Sequence, residues 1–243
     1  MDIGFIGLGL MGRPMALHLA EAGHALHLWA RRPASLAPFK GTDARAHISA
    51  AAVARHADVV FTMVADAPDV REVCLGGDGL AAGAAKGLVV VDMSTINPSA
   101  AREIGVALAE RDIEFLDAPV SGGETGAINA ALTIMVGGKP DVFARVRPLL
   151  EIMGKSVTLI GGAGAGQVAK ACNQIITGVG ILALAEAFSL AAKNGVDVAK
   201  VREALLGGFA YSRILENHGQ RMLDRDFKPG FKAWMHQKDL RIV

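Results

Sequence analysis

Short apolar runs alternate with amphipathic segments over the first two thirds of the chain. Runs too short for a helix predict strands, whereas apolar residues three and four positions apart predict helices. The predicted strands are Ile3–Ile6, Ala25–Trp29, Val59–Val64, Leu88–Asp92, Glu114–Asp117, Leu132–Val136 and Val157–Ile160. The predicted helices are Pro14–Ala22, Ala50–Arg55, Ser99–Glu110 and Pro140–Met153. This alternation is typical of βαβ units around a parallel sheet.

The pattern changes after residue 161. From Gln167 to Asn194 there is no strand signal, and Ala, Leu and Ile recur at helical spacing. Gly195 is a suitable residue for the end of this helix. Asp197 can cap a next helix over Val198–Leu206, and Ser212 can cap another that runs to Leu223. A turn is predicted at Pro229-Gly230. We therefore expect an α/β protein with a Rossmann-type doubly wound sheet domain over residues 1–161 and an all-α domain over residues 162–243.

The last residues, Lys238–Val243, begin another helical pattern without a cap or a polar tail. We therefore expect the helical domain to be truncated. The most apolar segment, Ile175–Ala192, is long enough to span a bilayer, but it carries Glu186 and two glycines. It is interpreted as a buried helix of a soluble protein.

The composition of the chain narrows the class of protein and its expected partners. Apolar residues make up 51% of the chain and charged residues 20%, which is typical of a globular protein. Lys and Arg total 25 against 24 Asp and Glu, with no run of like charge, so neither nucleic acid nor a membrane surface is an expected partner. Cys74 and Cys172 form no C-x-x-C pair, and no Cys/His cluster suggests a metal. A cytoplasmic protein without a metal site is expected.

A glycine-rich loop separates the first predicted strand from the first helix. Its glycines permit a tight turn, close approach of the backbone to a pyrophosphate and close helix-strand packing. The helix N-terminus adds N–H groups and a positive dipole for the anion. A glycine-rich turn without a ligand is the less favoured alternative. The predicted dinucleotide-binding loop is Gly7-Leu8-Gly9-Leu10-Met11-Gly12.

The residues after the second strand bear on the choice between NAD and NADP. NAD-binding sites carry a carboxylate there, about 20 positions after the loop, which binds the ribose 2′-hydroxyl. This chain instead has Ala30, Arg31 and Arg32, and guanidinium groups suit a 2′-phosphate. The sequence favours NADP, with NAD possible; a solvated arginine pair is the alternative.

Polar residues recur at steps of three or four along the apolar helix after residue 164. They are Gln167, Lys170, Asn173, Gln174 and Thr177. Lys170 and Asn173 share a face, and a lysine there can polarise a carbonyl and deliver a proton. A structural ion pair is the alternative, although Glu186, sixteen positions on and about 24 Å away along one helix, is too distant to be the partner.

Two other segments offer candidate chemistry. Ser121, with the N–H groups of Gly122 and Gly123, could hold a substrate carboxylate, or the three could form an ordinary turn. Lys238 and Asp239 could close the same site, although a surface charge pair is the more common situation.

These motifs together resemble the β-hydroxyacid dehydrogenase family, which includes 3-hydroxyisobutyrate dehydrogenases, 6-phosphogluconate dehydrogenases and tartronate semialdehyde reductases. The resemblance covers the whole chain. The last of these groups is the most similar around Gly207–Leu215 and Phe227–Lys232. The matching segments are Gly4–Gly12, Asp92–Thr95, Asp117–Gly123, Gly164–Gln174 and Lys238–Leu240.

The resemblance implies a role for each candidate residue. Lys170 would be the general acid/base, assisted by Asn173. Contacts to the cofactor would come from the glycine loop, Ala30, Arg31, Arg32, Val64, Thr95 and Lys238; contacts to the substrate would come from Ser121, Gly122, Gly123, Lys170, Asn173, Phe231 and Asp239. The expected reaction is NADP-dependent reduction of tartronate semialdehyde to glycerate, and full-length members are expected to be homo-oligomers.

The sequence leaves other functions open. A pocket for a small acid distinguishes a methyl from a hydroxyl by only a few kcal/mol, about 1–3 in general. A 3-hydroxyisobutyrate dehydrogenase, or a glyoxylate or succinic semialdehyde reductase, therefore remains possible. An inactive, truncated NADP-binding fragment is the alternative of a different class.

Overall fold

A computed structural model of the chain describes residues 1–228 and 233–242. It divides into two compact units, Met1–Lys170 together with Ile242, and Ala171–Arg241. The predicted domain boundary near residue 161 stays a prediction. The described strands are β1 (Asp2–Ile6), β2 (Ala25–Trp29), β3 (Arg45–Ala46), β4 (Val59–Thr62), β5 (Val89–Asp92), β6 (Glu114–Asp117), β7 (Val120–Ser121), β8 (Leu132–Gly137) and β9 (Gly154–Gly161).

The helices fill the intervals between these strands and make up the second unit. They are α1 (Gly12–Glu21), α2 (Ala50–Ala54), α3 (Ala67–Leu75), α4 (Leu80–Gly83), α5 (Pro98–Ala109), α6 (Gly123–Ile128), α7 (Pro140–Met153), α8 (Ala165–Lys193), α9 (Val198–Leu206), α10 (Arg213–Leu223) and α11 (Ala233–Leu240). A 3₁₀ helix covers Pro33–Phe39. The predicted Rossmann-type sheet followed by helices is confirmed.

The first unit is a sheet covered by helices on both faces. Its strand order is β3-β2-β1-β4-β5-β6-β8-β7, with β9 beside β8. Successive residues of β5 pack on opposite faces, since Val89 and Val91 belong to one apolar cluster and Val90 to the other. The order of the first six strands is that of a dinucleotide-binding sheet, in which ligands bind where the order reverses, here at the carboxyl ends of β1 and β4.

The expectation of a parallel sheet is wrong for one end of it. Strands β1 to β6 are parallel, but β8 runs antiparallel to both β6 and β7. The links from β6 to β7 and from β7 to β8 are too short for a full helical crossover, which parallel pairing requires.

The second unit is helical, and its predicted caps are confirmed. The Asp197 carboxylate accepts from the Ala199 N–H at 2.9 Å, and Ser212 Oγ accepts from the Leu215 N–H at 3.0 Å. Gly195 takes a φ of +70°, which a glycine adopts without strain. A small core of Leu184, Phe188 and Leu215 joins α8 to α10.

The prediction that Ile175–Ala192 is buried is wrong. Ile176, Val179 and Leu190 are 69%, 61% and 65% exposed, because the described parts of α9, α10 and α11 cover only one side of α8. By length and mean hydropathy, α8 is the one helix in the described ranges that could cross a membrane. Its first turns, however, place the buried polar side chains of Gln167 and Lys170 within the sheet unit.

Candidate active site

The glycine loop after β1 has the geometry predicted for a dinucleotide site. Gly7 has a φ of +96°, and a Cβ there would lie 2.1 Å from the Met63 carbonyl oxygen. A Cβ on Gly12 would lie 2.1 Å from the Gly7 carbonyl oxygen. At Gly9, by contrast, no described atom lies within 4 Å of such a Cβ. The loop is therefore tight at its two ends and open in the middle, where a pyrophosphate approaches the backbone in this class of site.

The other residues of the loop differ in exposure. Leu8 is buried in the core, Met11 is half-buried and Leu10 is 59% exposed. Among the residues that the structure describes, no side chain caps the N-terminus of α1 with a hydrogen bond. The positive end of this helix therefore faces the open part of the loop without a described side chain as its cap, which suits an anionic ligand.

The segment after β2 presents cationic groups beside this loop. Arg31 Nη1 lies 3.2 Å from Asp69 Oδ1 on α3, and the Arg31 side chain is 81% exposed. Arg32 is exposed and Ala30 half-buried. An exposed ion pair of this kind is weak. Little free energy is therefore lost when Arg31 exchanges its carboxylate partner for a phosphate.

The ends of β4 and β5 are joined by hydrogen bonds. The Val64 N–H donates to Ser94 Oγ at 2.9 Å, and Thr62 Oγ1 donates to Asp92 Oδ1 at 2.7 Å. Asp92 is fully buried, and burial raises the pKa of its carboxyl to about 6, against the opposing effect of the bonds from Ser94 and Thr62. The predicted cofactor residues Val64 and Thr95 lie in the segments that directly follow these two strands.

Asp117, at the end of β6, anchors the helix that carries the predicted acid. Its carboxylate accepts from the N–H groups of Gly164 at 2.7 Å and Gln167 at 2.9 Å. Burial raises the pKa of Asp117, while these bonds act to lower it. Lys170 follows within the same helix and is 7% exposed. The glycine loop, the segment of residues 94–96 (the Thr95 segment) and Lys170 all belong to the sheet unit, Met1–Lys170.

One of the two interpretations of Ser121-Gly122-Gly123 was an ordinary turn. The structure shows instead that the segment joins a strand to a helix. Ser121 ends β7, and Gly123 begins α6. Gly122 and Gly123 have φ values of +138° and +61°, which glycine tolerates best. Ser121 is half-buried and the two glycines are exposed.

The helical unit holds a second polar cluster. Asn173 Nδ2 donates to Gln174 Oε1 at 2.8 Å, and Gln174 Nε2 donates to Asp239 Oδ2 at 2.6 Å. Lys238 Nζ lies 3.2 Å from Asp239 Oδ1. Asp239 is 3% exposed, because α8 and α11 pack together around it, so the alternative of a surface charge pair is wrong. The predicted substrate residue Phe231 lies outside the described residues.

Sequence reasoning did not assign roles to Asp92, Asp117, Gln167 or Gln174. All four are buried polar residues with hydrogen bonds to other elements. The two aspartates end apolar strands, and the two glutamines are among the polar residues that recur along α8. Polar residues at such positions in apolar elements could have indicated their structural role. Among the described residues, no group of three or more His, Cys, Asp or Glu could hold a metal ion.

Two family models match consecutive parts of the chain. Residues 2–161 match the NAD binding domain of 6-phosphogluconate dehydrogenase, and residues 164–243 match the NAD-binding domain of NADP-dependent 3-hydroxyisobutyrate dehydrogenase. The chain belongs to the β-hydroxyacid dehydrogenase family. As a member of this family it is an NAD(P)-dependent oxidoreductase acting on a hydroxyacid, and the prediction of a nicotinamide dinucleotide cofactor is confirmed.

Individual members of the β-hydroxyacid dehydrogenase family are similar over nearly the whole chain. The 2-hydroxy-3-oxopropionate reductase of Escherichia coli is 48% identical over 243 residues, which cover 100% of this chain and 83% of the relative. The structure of Mycobacterium tuberculosis 3-hydroxyisobutyrate dehydrogenase with L-serine is 34% identical, with a TM-score of 0.91, over 99% of this chain and 84% of that one. The structure of Psf3 with NADP+ and 2-OPP is 27% identical, with a TM-score of 0.89, over 99% of this chain and 85% of that one.

Proposed function

We propose that this dehydrogenase reduces tartronate semialdehyde (2-hydroxy-3-oxopropionate) to glycerate with NADPH. The observation that carries the proposal is the 48% identity, over the whole chain, to a 2-hydroxy-3-oxopropionate reductase. The sheet unit supports it, because the same unit contains an open dinucleotide loop and a buried lysine.

NADPH is the preferred cofactor because of the residues that follow β2. The tetrapeptide Trp29-Ala30-Arg31-Arg32 lacks the carboxylate that would bind a ribose 2′-hydroxyl. Such a carboxylate would repel a 2′-phosphate, whereas the two exposed guanidinium groups attract it. Gly9 leaves room for the pyrophosphate, and Val64, Thr95 and Lys238 complete the proposed cofactor contacts.

In this reaction the aldehyde carbon gains a hydride and its oxygen gains a proton. NADPH supplies the hydride when it is bound. The Lys170 ammonium donates the proton to the carbonyl oxygen as negative charge develops there. Ser121 and the N–H groups of Gly122 and Gly123 bind the substrate carboxylate, and Asn173, Asp239 and Phe231 are proposed as further substrate contacts.

Oxidation of 3-hydroxyisobutyrate is the second candidate. The match of residues 164–243 to the 3-hydroxyisobutyrate dehydrogenase model and the TM-score of 0.91 to a structure of that name favour it. The two substrates share a carboxylate two bonds from the reacting carbon, so one acid and one carboxylate site would serve either of them.

We further propose that the protein acts in the cytoplasm and self-associates. The exposed apolar residues of α8 support self-association, since Ile176, Val179 and Leu190 recur along one side of that helix.

Steady-state oxidation of NADPH and NADH with tartronate semialdehyde tests the proposed function. Glyoxylate and succinic semialdehyde are assayed alongside it, and 3-hydroxyisobutyrate is assayed in the oxidative direction with NADP+ and NAD+. We expect the highest kcat/KM with NADPH and tartronate semialdehyde. Lys170→Ala should lower kcat by about 10²–10⁴-fold, while NADPH binding, followed by its fluorescence, is retained.

Lys193→Ala, at the other end of α8, is the matched control and should keep full activity. A kcat/KM for 3-hydroxyisobutyrate that exceeds the value for tartronate semialdehyde would favour the second candidate function over the first. NADPH binding with no turnover of any substrate would mean that this chain is a binding fragment, and the reductase proposal would then be wrong.

A further inference from the structure

A single glutamine in the first turn of α8 bonds to backbone groups on both sides of Thr95. Gln167 Nε2 donates to the Ser94 carbonyl oxygen at 2.8 Å, and Gln167 Oε1 accepts from the Ile96 N–H at 3.1 Å. Gln167 is 1% exposed, so water does not compete for these bonds. One side chain thus joins the segment after β5 to the helix that carries Lys170.

The backbone of Gln167 is held at the same time from β6. Its N–H donates to Asp117 Oδ2, while Asp117 Oδ1 accepts from Gly164. A Cβ added at Gly166 would lie 2.3 Å from the Met135 carbonyl oxygen and 2.7 Å from that of Asp117, so the start of α8 rests directly on strand backbone. The first turn of α8 therefore has a fixed place relative to the ends of β5, β6 and β8.

An amide is the side chain that these partners require. It offers one donor and one acceptor in a plane, which match one carbonyl and one N–H. A carboxylate could accept from Ile96 but would leave the Ser94 carbonyl without its donor, and an apolar residue would leave both groups unsatisfied. Lys170 lies three residues further, a rise of about 4.5 Å along the helix, so a shift at Gln167 is transmitted to the lysine.

We propose that Gln167 is a positioning residue, which holds the Thr95 segment and Lys170 in one fixed arrangement. Its effect on catalysis rests on the proposed function, in which Thr95 contacts the cofactor and Lys170 supplies the proton. Gln167 acts through these two residues, and it is not proposed to touch the substrate.

Gln167→Glu tests the proposal because its hydrogen-bonding capacity depends on pH. The ionised side chain cannot donate to Ser94, and it places a third acidic group near Asp117 and Asp92. Once protonated, the same side chain again offers one donor and one acceptor. We expect kcat, relative to wild type at the same pH, to fall about 10–100-fold at pH 8, as small misplacements of catalytic groups do, and to recover as the pH falls.

Gln167→Met, of similar length but without hydrogen bonds, is the contrasting variant. Its kcat relative to wild type should be reduced by a similar factor at every pH. Gln220→Glu, on the exposed face of α10, is the control for adding a negative charge and should match wild type throughout.

Hydrogen exchange of the cofactor-free protein gives a readout that needs no activity. In Gln167→Glu at pH 8 we expect faster exchange than wild type at residues 94–96 and 164–170 together, with both segments returning to wild-type protection at low pH. Gln167→Asn, one methylene shorter, cannot reach both groups and should loosen the 94–96 segment at every pH. This variant keeps the test decisive if Gln167→Glu does not fold at pH 8.

Wild-type exchange in both segments of Gln167→Glu and Gln167→Asn would overturn the proposal. So would a loss of kcat in Gln167→Glu that equals the loss in Gln167→Met at all pH values, because the protonated glutamic acid would then fail to restore activity although it offers the same donor and acceptor as the amide. If wild type reduces none of the substrates but the paired, pH-reversible exchange is seen, the proposed function fails and the positioning role of Gln167 stands.

Discussion

At the scale of single residues, two glycines of the dinucleotide loop are required for different reasons. A Cβ on Gly7 would overlap the backbone of Met63, and its φ of +96° disfavours any other residue. A Cβ on Gly9 would meet no described atom within 4 Å. The first glycine is needed by the fold itself, and the second leaves space for a ligand.

Gly7→Ala and Gly9→Ala should therefore separate stability from cofactor binding. We expect Gly7→Ala to lower the free energy of unfolding by about 2 kcal/mol or more. Gly9→Ala should change it by less than about 0.5 kcal/mol but weaken NADPH binding about tenfold or more, roughly 1.4 kcal/mol. Urea denaturation and NADPH fluorescence measure the two effects, and unchanged NADPH affinity in Gly9→Ala would mean that the pyrophosphate does not lie against this glycine.

Asp92 makes the stability of the sheet unit depend on pH. Its pKa is about 6 in the folded protein, above its usual value of 3.8, because the carboxyl is buried. Below pH 3.8 it is protonated in both states, and as the pH rises the unfolded chain loses the proton first. The folded state is therefore destabilised progressively up to about pH 6, by about 3 kcal/mol at roughly 1.4 kcal/mol per pH unit.

Asp92→Asn should remove this part of the pH dependence. The free energy of unfolding of the variant, relative to wild type, should rise by about 2–3 kcal/mol between pH 4 and pH 7. Burial raises the pKa of Asp117 too. Because Asp117 is present in both proteins, its effect largely cancels in the difference between their free energies of unfolding. Urea denaturation across this range measures the difference. The exposed Asp112→Asn is the control, and a wild-type pH slope in Asp92→Asn would contradict the assignment.

At the scale of elements, α8 is held differently along its length. Its first turn is fixed by buried hydrogen bonds to strand ends, whereas its later turns are held by a small apolar core. Phe188 is 7% exposed and packs toward α10, but Leu190, two residues on, is 65% exposed. The packing of the helical unit therefore depends on one face of α8.

Phe188→Ala should lower the free energy of unfolding of the helical unit by about 3 kcal/mol, since it removes a large side chain from a core with few members. Leu190→Ala on the same helix should change it by less than about 0.5 kcal/mol. Hydrogen exchange in α9 and α10 reports the effect on this unit alone. Equal protection in the two variants would show that the Phe188 cluster is not what holds α8 and α10 together.

For the protein as a unit, the exposed apolar side of α8 predicts self-association. Burial of such residues is favourable by about 25 cal/mol per Å² removed from water. Ile176→Asp combined with Val179→Asp should shift the protein toward the monomer in sedimentation velocity experiments, because a buried unpaired charge is costly. Ile48→Asp, at a residue 94% exposed in the sheet unit, is the control. A wild-type monomer at all concentrations would contradict self-association.

Local patterns were sufficient for most elements of both units. Strand β2 and helix α7 match their predicted bounds, and the caps at Asp197 and Ser212 form as predicted, because a run of apolar residues or a capping side chain acts over a few neighbours. Short elements such as β3, β7, α4 and α6 were missed, since so few residues carry no measurable period. The nine-residue helix α3 was missed as well.

Residue types at fixed spacing were enough to predict the family, the glycine loop and the candidate acid, because each of these depends on a local motif. The antiparallel direction of β8, the exposure of α8 and the burial of Asp239 became clear only from the folded chain. The same is true of the bonds from Gln167 to the backbone on both sides of Thr95, more than seventy positions earlier in the chain. These features depend on which distant segments meet, and neither hydrophobic period nor local spacing contains that information.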